Sequence, residues 1–361
     1  MSGGDFHEKA FDEGTLTKLE IFQLYTREWL PVFLARKQEW LRAVHLYDFF
    51  AGPGTDGVGV LGSPLRTLKV LREYSTDKNA AAWGKIEITA HFSDATLRKV
   101  VALKKNVETE AWSVPGVNVE TSRAEFVDAF AANEAIFNAR DSAKLLLIDQ
   151  FGVSQVTADV FKKLVSYPCT DFLFFISSAT LQRFREHPAI RQKIKPAADF
   201  NQVHHAVLEY YREMLPTGKQ HYLAPFSIKK GSNIYGIIFG SAHPRGIDKF
   251  LNVAWEKDGL NGNANFDINR DAIARDEMLL DLGAATQPLK LNVFEEDLEM
   301  RLRQKNLHDE VDVMEVCFKH GVMRKHASAV LKRLKQERVI DLDFTTPSLE
   351  NLKQPRPIHY L

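Results

Sequence analysis

Two short stretches of this sequence hold the residue types best suited to ligand chemistry. The first is Asp48-Phe49-Phe50-Ala51-Gly52-Pro53-Gly54, where an apolar run from Ala43 meets an acid and then two glycines one residue apart. Glycines at the carboxyl edge of a buried strand let backbone approach a ligand where a Cβ would collide. Asp94 ends the next strand-like run, and a carboxylate there can accept both hydroxyls of a ribose, although an N-cap role explains it as well. The turn lacks a GxGxxG, and the next helix is expected to start only at Ser63-Pro64, so a pyrophosphate would find no helix N-terminus beside it. Asp48 would repel a phosphate but can hold a cation or an amine. An adenosine with a cationic tail therefore suits the turn better than a dinucleotide, and S-adenosylmethionine has both a sulfonium and an α-amine.

The second stretch is Asp149-Gln150-Phe151-Gly152, directly after the apolar Lys144 to Ile148. A polar acceptor followed by an aromatic can hold an amino group and stack a planar ring. The tetrapeptide is similar to the Asp/Asn-Pro-Pro-Tyr/Phe motif of enzymes that methylate base amines, with Gln150 in place of the first proline. The plainer reading is a strand end with a packed Phe and a capping Asp. On the first reading Asp149, Gln150 and Phe151 are the candidate catalytic residues. Asp48, Phe49, Ala51, Gly52, Pro53, Gly54 and Asp94 are the candidate cofactor-binding residues.

Charge is segregated near the C-terminus. Between Lys319 and Arg338 the sole acid is Glu337, whereas Glu295, Glu296, Asp297 and Glu299 crowd an earlier helical stretch. Such a basic helix can face phosphates, which makes Arg324, Lys325, Lys332, Arg333 and Lys335 candidate nucleic-acid contacts. A solvated face or a protein-binding face is the alternative. Over all 361 residues, 47 Lys plus Arg cancel 47 Asp plus Glu, which excludes a chain that coats nucleic acid with its whole surface. Two cysteines, Cys169 and Cys317, are too few for a disulfide framework or a four-Cys zinc site. Cys169, after Pro168 at a strand entrance, is expected to be buried. The histidines lack partner acids at ligand spacing, so no metal is expected. No apolar stretch approaches the roughly 20 residues of a membrane span, and the expected location is the cytoplasm.

The elements that must position these residues alternate. A helix is expected over Thr15–Arg42, split by Pro31, with strands at Ala43–Phe50, Lys85–Phe92, Val117–Thr121, Lys144–Ile148 and Asp171–Ser177 and helices between them. Strands so continuously apolar are buried on both faces, as a parallel sheet covered by helices requires. The fold class is α/β, a doubly wound Rossmann-like sheet. Residues 178–218 read as a helical insertion, and Tyr222–Ile228 with Ile234–Gly240 as a closing hairpin. Three helical stretches and two short strands then spell a winged helix-turn-helix, with Gly321 at its turn. The expected organisation is 1–42 helical, 43–285 Rossmann-like and 286–361 winged helix.

YDFFAGPG, the trailing GSPL (Gly62 to Leu65), the LLLIDQFG strand and the C-terminal winged helix resemble the three-Cys-motif partner family, TcmP. The Lys18–Trp29 stretch is similar to that family's opening K…L…Y…W pattern. The resemblance implies a class I methyltransferase fold, S-adenosylmethionine as cofactor, and a partner with a three-Cys motif that looks like a radical-SAM iron–sulfur enzyme. By matching position it implies that Asp48, Gly52 and Gly54 line the methionine end, that Asp94 takes the ribose, and that Ser122 lies near the adenine. Asp149 and Phe151 match the family's Asp-Pro-Tyr-Gly, from which Gln150 and Phe151 depart. The implied activity is methyl transfer on or with nucleic acid. A non-catalytic adaptor that keeps the fold is the second reading, and a nucleotide-sugar or NAD enzyme the third.

Overall fold

The computed structural model describes residues 9–149, 156–176, 200–218, 220–230, 233–259, 262 and 290–361, and of 200–206, 229, 230 and 233–235 the backbone alone. Gln150, Phe151, the first part of the 178–218 insertion and the boundary expected near 285 lie outside the described residues. The chain divides into two compact units, 1–246 and 247–361.

Unit one is a seven-stranded sheet of β1 (Ala43–Asp48), β2 (Glu87–Asp94), β3 (Val117–Arg123), β4 (Ser142–Ile148), β5 (Thr170–Ile176), β6 (Tyr222–Lys230) and β7 (Asn233–Ser241). The strand order is β3-β2-β1-β4-β5-β7-β6. The first five strands pair in parallel, and the β6–β7 hairpin brings β7 antiparallel against β5. Chain order reverses between β1 and β4, and in an open α/β sheet that switch point is where ligands sit, outside the carboxyl ends of the strands. Asp48, Asp94 and Asp149 all stand at that edge: Asp48 ends β1, Asp94 ends β2, and Asp149 follows β4.

Every residue of β4 is buried, as a central parallel strand demands, whereas β3 at the edge exposes alternate residues. One side of the sheet is covered by an aromatic core that includes Tyr47, Phe49, Phe126, Phe137, Phe161 and Phe172. Burying each such side chain contributes about 1.5–3 kcal/mol.

The first helix, α1 (Glu13–Leu34), is capped by Asp12, whose side chain accepts from the Thr15 N–H at 2.9 Å. It ends at Leu34, well before Arg42, and Pro31 does not split it. Pro31 lies in the last turn, so one missing N–H costs little, and its carbonyl still accepts from Ala35 at 3.1 Å. Helix α2 (Ser63–Ser75) is capped by Gly62, one residue earlier than expected, and α3 (Leu97–Val107) begins after Thr96, not at Asp94. The outer layers add α4 (Phe126–Ala132), α5 (Glu134–Asn138), α6 (Ala158–Ser166) and α7 (Phe200–Glu213). Cys169 is exposed and not buried as expected, and takes a left-handed φ of 46° just before β5.

The division between units falls inside α8 (Pro244–Lys257). Unit two continues with α9 (Lys290–Arg303), α10 (Glu310–His320), α11 (Ala327–Gln336) and a small ladder of β8 (Ile340–Asp341) against β9 (His359–Tyr360). Gly321 closes α10 at φ 65°, a left-handed C-cap that an L side chain would strain. Leu298, Val313, Met314, Val330 and Leu331 form its core.

Candidate functional site

The glycine loop is shaped by the acids around it. As the chain leaves β1, the Phe50 N–H donates to Asp48 Oδ1 at 3.0 Å, an Asx turn that bends the backbone away from the strand. Ala51 keeps one more bond to the next strand, its N–H on the Ser93 carbonyl at 2.9 Å. Gly52 and Gly54 then take φ of 61° and 91°, a region that disfavours a Cβ. Asp94 holds the turn from below, with Oδ2 accepting from the Gly52 N–H at 3.2 Å and Oδ1 from the Thr96 N–H at 2.8 Å. The Pro53 carbonyl accepts from Asn106 at 2.8 Å, and the Gly54 carbonyl from the Gly62 N–H at 2.7 Å.

The start of α1 closes over this loop. Asp56 accepts from the N–H groups of Val58 (3.0 Å), Val60 (2.7 Å) and, across from the chain's beginning, Phe11 (2.8 Å). Burial alone would push the Asp56 carboxyl up, but these N–H donors outweigh it and hold it below its ordinary range. One turn into the helix, Lys18 pairs with Asp149 at the end of β4, both side chains largely buried. Further along, the Tyr25 hydroxyl donates to Asp171 on β5 at 2.7 Å.

Asp48 is the electrostatic anomaly of the site. It is 3% exposed, and among the described residues its Oδ2 has no hydrogen-bond partner. Burial pushes its carboxyl up to about 7, with the Asp149 charge adding to the effect, while the nearby Ser63 hydroxyl, the Phe50 N–H and the Lys18 charge pull the other way. Its place at the switch point beside the glycine loop makes this buried acid a candidate ligand-binding group.

A cavity of about 20 Å³ lies here, walled by Phe11, Thr15, Lys18, Gly54, Ser63 and Asp149 among others. That is room for one water, against the several hundred Å³ of a drug-sized ligand pocket. The donor set suits the charged amino-acid end of S-adenosylmethionine: an unpartnered carboxylate oxygen for an ammonium, a lysine for a carboxylate, and glycine backbone between them. Phe11, Thr15, Thr55 and Gly62 are among the residues that wall the cavity, which is far smaller than an adenosyl group.

The structure brings together Asp48, Ala51, Gly52, Pro53, Gly54, Asp94 and Asp149. It takes Phe49 away: that ring is 2% exposed and packs edge-on against Phe126 at 5.3 Å. Phe50 lines the cavity instead. Ser122 lies on β3 opposite Ser93 and is exposed. Sequence reasoning missed Lys18, Phe50 and Asp56. For Lys18 a signal existed, because it falls in helical register with Phe22, Tyr25 and Trp29 and so places a charge on an apolar stripe.

The basic residues of unit two are mostly engaged within it. Arg324 forks onto Asp248 at 2.6 and 3.1 Å, Arg333 reaches Glu299 at 2.5 Å, and Lys335 reaches Asp341 at 3.0 Å. Lys325 and Lys332 are exposed and make no ion pair with a described residue.

No family model and no curated protein matches the chain. Solved structures similar to it include an rRNA methylase from Streptococcus thermophilus (7% identity, TM-score 0.33, covering 64% of this chain and 98% of that one). Others are a SAM-dependent methyltransferase from Agrobacterium tumefaciens (12%, 0.33, 61% and 61%) and a putative methyltransferase from Streptococcus mutans in complex with SAH (9%, 0.30, 58% and 95%). Likeness this distant says nothing of the chemistry, which rests on the site itself. Among the described residues no helix is long and apolar enough to cross a membrane. What the chain itself establishes is an α/β fold whose mostly parallel sheet gathers three acids at its switch point.

Proposed function

We propose that the chain is an S-adenosylmethionine-dependent methyltransferase whose cofactor lies along Asp48–Gly54 and whose acceptor is an amine placed by Asp149 and the two residues after it. The observation that carries this reading is the buried Asp48 carboxyl, one oxygen of which has no hydrogen-bond partner among the described residues, beside two left-handed glycines at the sheet's switch point. When bound, S-adenosylmethionine supplies an electrophilic methyl group on a sulfonium. The chain's own residues bind and orient. Asp48 receives an ammonium, and Asp94, which accepts the Gly52 N–H on one oxygen and the Thr96 N–H on the other, keeps acceptor capacity for ribose hydroxyls. Asp149 accepts from the acceptor amine. Positioning supplies most of the rate, because an amine with its lone pair available needs no strong base.

The helix order of unit two and its terminal ladder support a winged helix-turn-helix that brings nucleic acid to the enzyme, with Lys325 and Lys332 on the phosphates. A second reading, in which this unit binds protein and the chain serves as an adaptor for a three-Cys-motif partner, is favoured by the internal ion pairs of Arg324, Arg333 and Lys335. Isothermal titration with S-adenosylmethionine tests the first reading, and absence of heat at about 1 mM ligand removes it. Binding without transfer of labelled methyl to DNA, rRNA or tRNA pools leaves the adaptor.

A further inference from the structure

Unit two has a groove of its own, of about 400 Å³, between the C-terminal half of α11 and residues 342–345 that follow β8. That volume falls in the range of ligand pockets, roughly 300–1,000 Å³. The buried side chains of Leu331, Leu342 and Phe344 give the groove an apolar lining. Lys332, Lys335 and Gln336 contribute from the helix, and Asp343 from the segment after β8. None of these residues belongs to the glycine-loop site.

The charges around the groove do not cancel. Lys335 is held by Asp341 at 3.0 Å and by the Leu342 carbonyl at 2.5 Å. Asp343 lies 4.0 Å from the Arg356 guanidinium. Lys332 is exposed and makes no ion pair with a described residue, so one ammonium is left over at the edge of an apolar lining. Its complement is a ligand that carries a negative charge beside an apolar group.

Phe344 narrows the choice of ligand. A nucleobase enters a protein groove by stacking on an exposed aromatic face. The Phe344 ring is 3% exposed, and the Arg356 guanidinium already lies over it at 4.9 Å from the centroid. Among the lining residues no other ring is present to take a base. An aliphatic side chain asks only for apolar walls, and a carboxylate next to it reaches the free ammonium.

We propose that this groove docks an acidic segment of a partner protein, with an aliphatic side chain against Leu331, Leu342 and Phe344 and a neighbouring carboxylate on Lys332. The proposal goes beyond the methyl-transfer reading and does not depend on it. One ammonium cannot hold a carboxylate and a phosphate at once, so a docked segment takes Lys332 away from any nucleic acid along α11.

The test is fluorescence anisotropy of the full chain with labelled hexapeptides. One alternates aspartate and leucine, a second has lysine in place of aspartate, and a third has glycine in place of leucine. The first is expected to bind about tenfold or more tightly than either of the others, the range of one charge-assisted contact. Lys332→Glu should weaken it about tenfold or more, and Gln336→Trp, which fills the groove from an exposed position, by a similar factor. Lys319→Glu makes the same charge change at an exposed residue of α10 outside the groove and should stay within about twofold, because a distant exposed charge is screened. Three results overturn the proposal: no binding of the first peptide at about 1 mM, equal affinity for the glycine peptide, or equal losses in Lys319→Glu and Lys332→Glu. A labelled oligothymidylate that shows this pattern of variants where the peptide does not assigns the groove to nucleic acid, and overturns it as well.

Discussion

The amide of Gly62 donates to the carbonyl of Gly54 at 2.7 Å, and a Cβ on Gly62 would stand 3.1 Å from that same oxygen. The contact joins the first turn of α2 to the glycine loop, so YDFFAGPG and GSPL form one structural unit although eight residues lie between Gly54 and Ser63. Gly62→Ala forces the two backbones apart by a few tenths of an ångström. Gly54→Ala is worse, since it puts a Cβ at φ 91° and 3.2 Å from Leu103. Both variants should lose stability, Gly62→Ala about 1 kcal/mol and Gly54→Ala about 2 kcal/mol, read by chemical denaturation. Gly62→Ala as stable as its parent would show that the approach is not a tight constraint.

Asp48 sets a pH signature. Its folded-state carboxyl titrates at about 7 against an ordinary 3.8, so between those values the native state binds the proton that the unfolded chain releases. The stability this group contributes is fully present below about 4 and is lost as pH rises through 7. Asp48→Asn removes that loss. The variant should melt close to the wild type at pH 4–5 and above it at pH 8, with the gap widening between. Equal melting curves at pH 8 would mean that Asp48 is not buried as a charge.

The succession of strands along the chain and the placement of Asp48, Asp94 and Asp149 at strand ends were legible because buried parallel strands are apolar runs and their ends are marked by acids and glycines. The antiparallel hairpin at β6–β7 was legible from two strand-like runs separated by Lys229-Lys230-Gly231-Ser232. What sequence periodicity does not carry is which wall closes the site. Lys18 and Asp149 are 131 residues apart, and no local pattern pairs them. Phe49 and Phe50 are chemically identical neighbours that both pack against Phe126, and no local pattern says that Phe49 is the one fully buried while Phe50 also lines the cavity. The fate of the basic helix was hidden in the same way, since Arg324 and Asp248 are 76 residues apart.

Asp56 ties the beginning of the chain to the loop that follows the glycines, through the Phe11 N–H at 2.8 Å. Asp56→Ala removes the acceptor for three N–H groups and should cost about 2 kcal/mol locally. Hydrogen exchange over residues 9–20 should quicken by about tenfold or more while the central strands exchange as before. If this wall parts to admit an adenosyl group, S-adenosylmethionine should also associate faster with the variant. Unchanged exchange over 9–20 would show that other contacts hold the segment down.

Arg324 and Lys332 separate a folding role from a binding role in unit two. Arg324→Ala leaves Asp248, 7% exposed in its side chain, without its partner and should cost about 3 kcal/mol, so that any loss of nucleic-acid retention follows unfolding. Lys332 is exposed and outside the ion pairs of the described residues, so Lys332→Ala should leave stability within about 0.5 kcal/mol. If α11 meets phosphates, that variant weakens retention of DNA or RNA uniformly across sequences and lowers the salt slope by about one. A salt slope identical to the wild type's assigns the helix to protein contacts, since a phosphate neutralised by Lys332 cannot release its counterion once the ammonium is gone.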